Sequence, residues 1–251
     1  MNFTNLLDLA SLTFVLGSLL SITAVVRFQS SQFRLLADAA LPAGLVGFLI
    51  GVVGMLAAEA DPSRIAPALA VAILTVLYSG TVRLLLSDTL NQPVSTEHSM
   101  IGKILGTLGF LTMTAWAMLT VSPAGVVVFW EPQVAVTLIS FTGLIVGSGR
   151  ILNMEYSRGW ANKLIGFAWL GFAAGVVGAL TNLDTPTSLG PPFAFSILSL
   201  LYALILLILG LIWLPRAMPA ANGSLPTGLS LAAPFVLLVS LILGGLALAV
   251  F

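Results

Sequence analysis

Charged residues are scarce in this sequence. Only 7% of the 251 residues are Asp, Glu, Lys or Arg, 59% are apolar, and the mean hydropathy is +1.11. Soluble domains carry about a quarter charged residues, so this chain has too few charges to cover itself with a water-facing surface. The composition therefore predicts an integral membrane protein with no soluble domain of any size.

Other absences narrow the function further. The chain has no cysteine, which excludes disulfides, thiolate nucleophiles and cysteine metal sites. Its net charge is zero, which argues against a nucleic-acid partner. The single histidine, His98, lies in a polar stretch without neighbours that could complete a metal site. No Walker loop, dinucleotide fingerprint or zincin motif occurs, so the sequence predicts no enzyme, no cofactor and no metal.

Hydrophobic runs separated by polar breaks predict an all-α membrane protein of about eight transmembrane helices. A spanning helix needs about 20 mostly apolar residues, and the start of the chain lacks the basic region of a cleavable signal peptide. The first run is therefore expected to be a retained helix. The predicted spans are 9–27, 40–58, 66–87, 101–122, 133–150, 163–182, 192–214 and 228–250.

The basic residues predict how the helices are oriented. With eight spans, eight of the nine Lys and Arg residues fall on one side of the membrane, and only Arg64 falls on the other. Lys and Arg in short loops are retained in the cytoplasm, so both termini are expected outside it. No ionisable residue is expected near the middle of a span. Asp38 is expected just before the second span, paired with Arg34 four residues earlier.

The sequence also contains an internal repeat. At a constant offset of 124, residues 47–78 and 171–202 align without a gap and match at 14 of 32 positions. Glycines, two prolines and a tyrosine recur in register. We therefore predict a tandem duplication of a four-helix unit, with halves at 1–124 and 125–251. Because each half has an even number of spans, the two halves are expected to be parallel.

Each repeat is expected to form a helical hairpin in which a glycine-rich helix packs closely against another helix. Glycines three or four residues apart share one helix face, as in small-xxx-small contacts. Proline in the first turn of the following helix costs little, because that N–H has no helical partner. The residues predicted to serve packing and the hairpin are Gly47, Gly51, Gly54, Pro67, Gly171, Gly175, Gly178 and Pro191.

These hairpins, GFLIGVVGMLAAEADPSRIAPALAVAILTVLY and GFAAGVVGALTNLDTPTSLGPPFAFSILSLLY, resemble a known family. A glycine-rich helix, a proline-containing loop and a helix ending in T/S-x-L-Y are similar to the last two transmembrane helices of the MotA/PomA-like flagellar stator subunits. These subunits belong to the MotA/TolQ/ExbB proton-channel family. The resemblance covers about 64 of the 251 residues.

The resemblance implies a location and partners. Family members lie in the bacterial inner membrane with the hairpin loop in the periplasm, which agrees with the distribution of basic residues and implies that both termini are periplasmic. They form homo-oligomeric rings, typically pentamers, around single helices of a MotB/ExbD/TolR-like partner that carries the proton-binding aspartate. Ion flow then drives rotation or force on the cell envelope. The implied partners are the lipid bilayer, copies of the same chain and such a helix.

Hydroxyl groups are the candidates for a conduction path, since the spans themselves are expected to lack a titrating group. The same hydroxyls are alternatively expected to bond to backbone carbonyls within or between helices. The predicted pore-lining residues are Thr75, Tyr78, Ser79, Ser196, Ser199 and Tyr202.

An alternative function follows from a departure from the family pattern. Phe48 and Phe172 stand where the family has a pore-facing threonine, which thins the polar path. The alternative is therefore a non-conducting structural membrane scaffold with the same fold. A secondary transporter built from parallel repeats is a third hypothesis, but the sequence lacks the interrupted, charge-bearing midplane helix typical of that class.

The predicted topology can be tested with a reporter that is active only in the cytoplasm. Fused after Phe251, such a reporter is expected to stay inactive, because eight spans return the chain to the side on which it began. The same reporter inserted next to Arg158 serves as the matched positive control. An active C-terminal fusion would contradict the eight-span topology.

Overall fold

The structure is a computed structural model that describes residues 8–25, 31–57, 65–91, 99–122, 125–151, 160–181 and 190–213. Within these ranges the chain is helical and contains no strand. Short 3-10 helices occur at Ser87–Asn91 and Gly125–Phe129. The α-helices are α1 (Leu9–Thr23), α2 (Ser31–Ala57), α3 (Ile65–Leu85), α4 (Met100–Val121), α5 (Pro132–Ile151), α6 (Trp160–Leu180) and α7 (Gly190–Trp213).

Each of the first seven predicted spans overlaps one of these helices. The helical stretch Leu9–Thr23 and the Leu69–Leu85 part of α3 are apolar but shorter than a typical span. The predicted span 228–250 lies outside the described residues, so the count of eight stays a prediction, as does the division into halves. Four stretches are long and apolar enough to cross a membrane, namely Phe33–Leu56, Met100–Val121, Trp160–Leu180 and Pro192–Trp213.

The predicted start of the second span is wrong. Helix α2 begins at Ser31 rather than near residue 40, and it continues through Pro42. Proline inside a helix removes one N–H and crowds the carbonyl four residues earlier, but packed neighbouring helices make it tolerable in membrane bundles. Asp38 consequently lies within α2, whereas the sequence predicted it just before the helix.

Helix α2 lies at the centre of the described bundle. It packs against α1, α3, α4 and α7, and 89% of its apolar span is buried, against 28% in α4 and 33% in α6. The side chains of Leu45, Phe48 and Ile50 are almost completely buried. A helix that is apolar all round requires such enclosure, whereas α4 and α6 keep apolar faces that suit lipid.

The most extensive helix pair is α2 with α3. A Cβ built on Gly44 would lie 1.7 Å from the Ser79 hydroxyl oxygen, and one built on Gly47 would lie 3.0 Å from Cγ2 of Thr75. Only glycine leaves room for the partner helix at these distances. Since Gly44 meets the later residue and Gly47 the earlier one, α2 and α3 are antiparallel.

Helices α6 and α7 form a second antiparallel pair. A Cβ built on Gly171 would lie 2.7 Å from the Ser199 hydroxyl oxygen, and one built on Gly175 would lie 2.2 Å from the Ser196 hydroxyl oxygen. The pairs Gly47–Thr75 and Gly171–Ser199 differ by 124 in both members. The two helices of each pair therefore approach each other at positions that correspond between the repeats.

Replacing a glycine at the α6–α7 contact is expected to destabilise the protein. A Cβ on Gly175 would also lie 2.6 Å from the backbone oxygen of Pro192, which cannot yield as a side chain can. We expect Gly175→Ala to lower the free energy of unfolding by about 1–3 kcal/mol, measured by circular dichroism during unfolding of the full chain in detergent.

Gly166 on the same helix provides the matched control. Nothing lies within 4 Å of the Cβ that Gly166→Ala would add, and alanine favours the helix by about 0.5–1 kcal/mol. This variant is expected to be at least as stable as the original chain. Equal effects of the two substitutions would contradict close packing at Gly175.

Candidate functional site

The candidate hydroxyls of α3 lie against α2. Thr75 is buried, and its hydroxyl contacts the carbonyl oxygen of Gly44 on α2 at 3.1 Å and that of Ala72 on α3 at 2.7 Å. Ser79 is fully buried and donates to the carbonyl of Val76 at 3.0 Å. Both hydroxyls therefore have backbone acceptors within the hairpin.

The candidate hydroxyls of α7 have the same kind of partner. Ser196 lies 3.1 Å from the carbonyl oxygen of Phe172 on α6 and 3.1 Å from that of Pro192 on α7. Ser199 donates to the carbonyl of Phe195 at 2.7 Å. In both pairs of helices a hydroxyl thus bridges to the backbone of the glycine-rich helix, as Thr75 does to Gly44.

Two tyrosines meet the N-terminal ends of other helices. The Tyr78 hydroxyl accepts the N–H of Asp8 at 3.1 Å, and Asp8 is the N-cap residue of α1. The Tyr202 hydroxyl accepts the N–H of Glu131 at 3.0 Å and donates to the carbonyl of Phe129. Glu131 directly precedes α5. Each tyrosine therefore satisfies an N–H at a helix start that the helix itself leaves unpaired.

The remaining residues that were predicted to serve packing and the hairpin lie in the glycine-rich helices or in the first turns of the helices that follow them. A Cβ built on Gly54 would lie 1.9 Å from Cγ1 of Val121 on α4, and one built on Gly178 would lie 3.3 Å from Cβ of Pro192 on α7. Gly51 is buried in α2. Pro67 is the third residue of α3, and Pro191 is the second residue of α7.

Pore lining by the six hydroxyl residues stays a prediction. Within one chain each hydroxyl has a backbone hydrogen-bond partner, which is the alternative that the sequence also allowed. Phe48 and Phe172, at the family's threonine positions, are buried in the apolar core.

A buried charged cluster joins α2 and α3. Nε of Arg34 lies 3.7 Å from Oδ2 of Asp38, and these side chains are only 8% and 14% exposed. Arg83 donates from Nη1 to the carbonyl of Ala37 at 2.8 Å. The predicted Arg34–Asp38 pair is confirmed, but its burial and the electrostatic interaction of Asp38 with Arg83 were not predicted. Both features could have been predicted only if the second helix had been extended back through Pro42 to Ser31.

A third basic residue lies at the same end of the bundle. Lys103, near the start of α4, has its Nζ 3.5 Å from the carbonyl oxygen of Trp213 and 5.9 Å from the centre of its indole ring. The indole N–H donates to the Thr107 hydroxyl at 3.0 Å. These contacts join the start of α4 to the end of α7. Within the described ranges, no group of three or more metal-ligating His, Cys, Asp or Glu side chains occurs.

Removing either tyrosine hydroxyl is expected to destabilise the protein to a similar extent. Tyr78→Phe and Tyr202→Phe each leave an N–H at a helix start without its partner, at a cost of about 1 kcal/mol. The measurement is detergent unfolding of each variant and of the double variant. Thr112→Val is the control, because that exposed threonine bonds only within its own helix. A cost confined to one tyrosine would contradict equivalent roles.

Comparison with known proteins gives one partial similarity. No family model and no solved structure matches the chain. A stretch of 68 residues is 40% identical to the chemotaxis protein PomA of Vibrio alginolyticus, and it covers 27% of this chain and 25% of that protein. The chain is therefore similar to PomA over about a quarter of either length.

Proposed function

We propose that this chain is a MotA/TolQ/ExbB-like subunit of an ion-permeable or proton-driven complex in the bacterial inner membrane. It would form a homo-oligomeric ring, by the family resemblance a pentamer, around a single helix of a MotB/ExbD/TolR-like partner. That helix would carry the aspartate that binds the proton. Both termini would be periplasmic, and the chain would not be an enzyme.

The observation that carries this function is the 40% identity to PomA over 68 residues. Apolar helices alone can resemble one another through composition. Here the resemblance of the hairpins also includes glycines and prolines in register, and the glycines of both helix pairs meet Thr or Ser of the following helix. These features favour a shared hairpin over a merely shared hydrophobicity.

We also propose that the chain is a parallel tandem duplication of a four-helix unit. Three pairs of contacts support it. Gly47 with Thr75 corresponds to Gly171 with Ser199. Tyr78 contacts the residue before α1, as Tyr202 contacts the residue before α5. The interhelical packing of α1 with α3 also has a counterpart in the packing of α5 with α7. Each half would then contribute one hairpin.

A non-conducting scaffold with the same fold is the alternative function. The buried aromatic rings of Phe48 and Phe172 favour it, because the family's threonine would offer a hydroxyl at each of these positions. The backbone partners of Thr75 and Ser199 favour it as well, since a bonded hydroxyl fulfils a structural role without any conduction.

Proton flux separates the two functions. We expect liposomes that contain the chain and a co-purified single-helix partner to conduct protons, and the double variant Thr75→Val, Ser199→Ala to conduct several-fold less. Removing both hydroxyls takes one polar group from each hairpin. Flux is measured with a pH-sensitive dye trapped inside the liposomes, at equal protein incorporation.

Thr81→Val is the matched control, because Thr81 is exposed on α3 and bonds to the carbonyl of Leu77 in its own helix. It is expected to leave the flux unchanged. Absence of flux from the original chain with its partner, in assemblies several times the 26.1 kDa chain mass, would support the scaffold. Unchanged flux in the double variant would show that the hydroxyls of Thr75 and Ser199 do not belong to the conduction path.

A further inference from the structure

The charged cluster between α2 and α3 carries an excess of positive charge. Arg34 and Asp38 form an ion pair in the buried interior of the hairpin. Arg83 adds a second guanidinium, whose hydrogen bond goes to the neutral carbonyl of Ala37. The three ionisable side chains thus sum to one net positive charge, with Arg34 and Asp38 largely buried and Arg83 half-buried.

The excess charge belongs to Arg83. Among the described residues, no carboxylate lies within salt-bridge distance of the Arg83 guanidinium, although Asp38 interacts with it electrostatically. A guanidinium has five N–H donors, and the Ala37 carbonyl accepts from only one of its nitrogens. An anion from outside the chain would accept from further N–H donors of this half-buried guanidinium, and partial exclusion of water strengthens the attraction between opposite charges.

The position of Arg83 fits the headgroup region of a bilayer. Arg83 is half-buried in the last turn of α3, and the two residues that follow, Leu84 and Leu85, are 75% and 77% exposed. Phe33, beside Arg34 near the start of α2, is 43% exposed. Exposed apolar side chains next to a half-buried cation offer contacts for acyl chains and for a headgroup together.

We propose that the Arg34–Asp38–Arg83 cluster binds the phosphate of an anionic phospholipid headgroup. Arg83 holds the phosphate, because guanidinium groups bind phosphate oxygens through two parallel N–H bonds. Asp38 neutralises Arg34 and, together with the Ala37 carbonyl, keeps Arg83 against α2. Basic pockets between helices at the membrane surface bind such headgroups in membrane proteins.

The second half of the chain keeps only the counterpart of Arg34, which is Arg158. At an offset of 124, Asp38 corresponds to Asn162 and Arg83 corresponds to Leu207. Leu207 is completely buried in the apolar core. One chain therefore binds one headgroup at this position, even though its glycine and tyrosine contacts occur twice.

The test is lipid binding to the full chain, measured by native mass spectrometry in detergent with added phosphatidylglycerol or phosphatidylcholine. We expect one phosphatidylglycerol per chain to bind more tightly than phosphatidylcholine. Arg83→Gln is expected to weaken phosphatidylglycerol binding about ten-fold, because it removes the positive charge that holds the phosphate. Inorganic phosphate is not expected to displace the lipid.

Lys103→Gln is the matched control. It removes one positive charge at the same end of the bundle, but Lys103 contacts Trp213 and lies outside the cluster. Phosphatidylglycerol affinity is expected to persist in this variant. The proposal is overturned if both variants lose affinity equally or if inorganic phosphate displaces the lipid. It is also overturned if two molecules of phosphatidylglycerol bind to one chain with equal affinity.

The unsubstituted chain supplies a measurement that does not depend on the folding of a variant. Equal binding of phosphatidylglycerol and phosphatidylcholine to it would also overturn the proposal. Proton flux does not enter the measurement, so failure of the ion-conducting function would leave the lipid result interpretable.

Discussion

The close approach of α2 and α3 is the contact on which the bundle depends. A bilayer core offers no water, so hydroxyl and carbonyl groups there must find partners within the protein. Glycine at position 44 lets α3 come near enough for Thr75 to reach its carbonyl. The remaining face of α2 then packs on α1, α4 and α7. A larger side chain at position 44 would separate the helices and remove both the packing and the hydrogen bond.

Hydrophobic runs predicted where the helices lie, because a run of about 20 apolar residues has few alternatives to a membrane helix. The start of α2 was not predictable from this pattern. Asp38 and Pro42 are residues that usually end an apolar run, and only their enclosure by α3 and other helices permits a continuous helix there. Tertiary packing overrode the local signals in that segment.

The candidate site was partly predictable for a similar reason. A spacing of four residues shows that Thr75, Ser79 and Arg83 share one face of α3. Spacing cannot show which carbonyl each side chain meets, because the acceptors Gly44 and Ala37 lie on another helix. The tyrosine contacts join residues about 70 positions apart, and no local pattern identifies such partners.

The charges of Asp38 and Arg83 depend on each other, which explains why the second half lacks a charge at both corresponding positions. Arg83 is tolerable beside α2 because the Ala37 carbonyl accepts its hydrogen bond and Asp38 interacts with it electrostatically. An arginine in place of Leu207 would be fully buried with Asn162 in the corresponding position instead of an aspartate. An uncompensated buried charge costs several kcal/mol. In the proposed duplication, loss of the carboxylate at position 162 would therefore favour loss of an arginine at position 207.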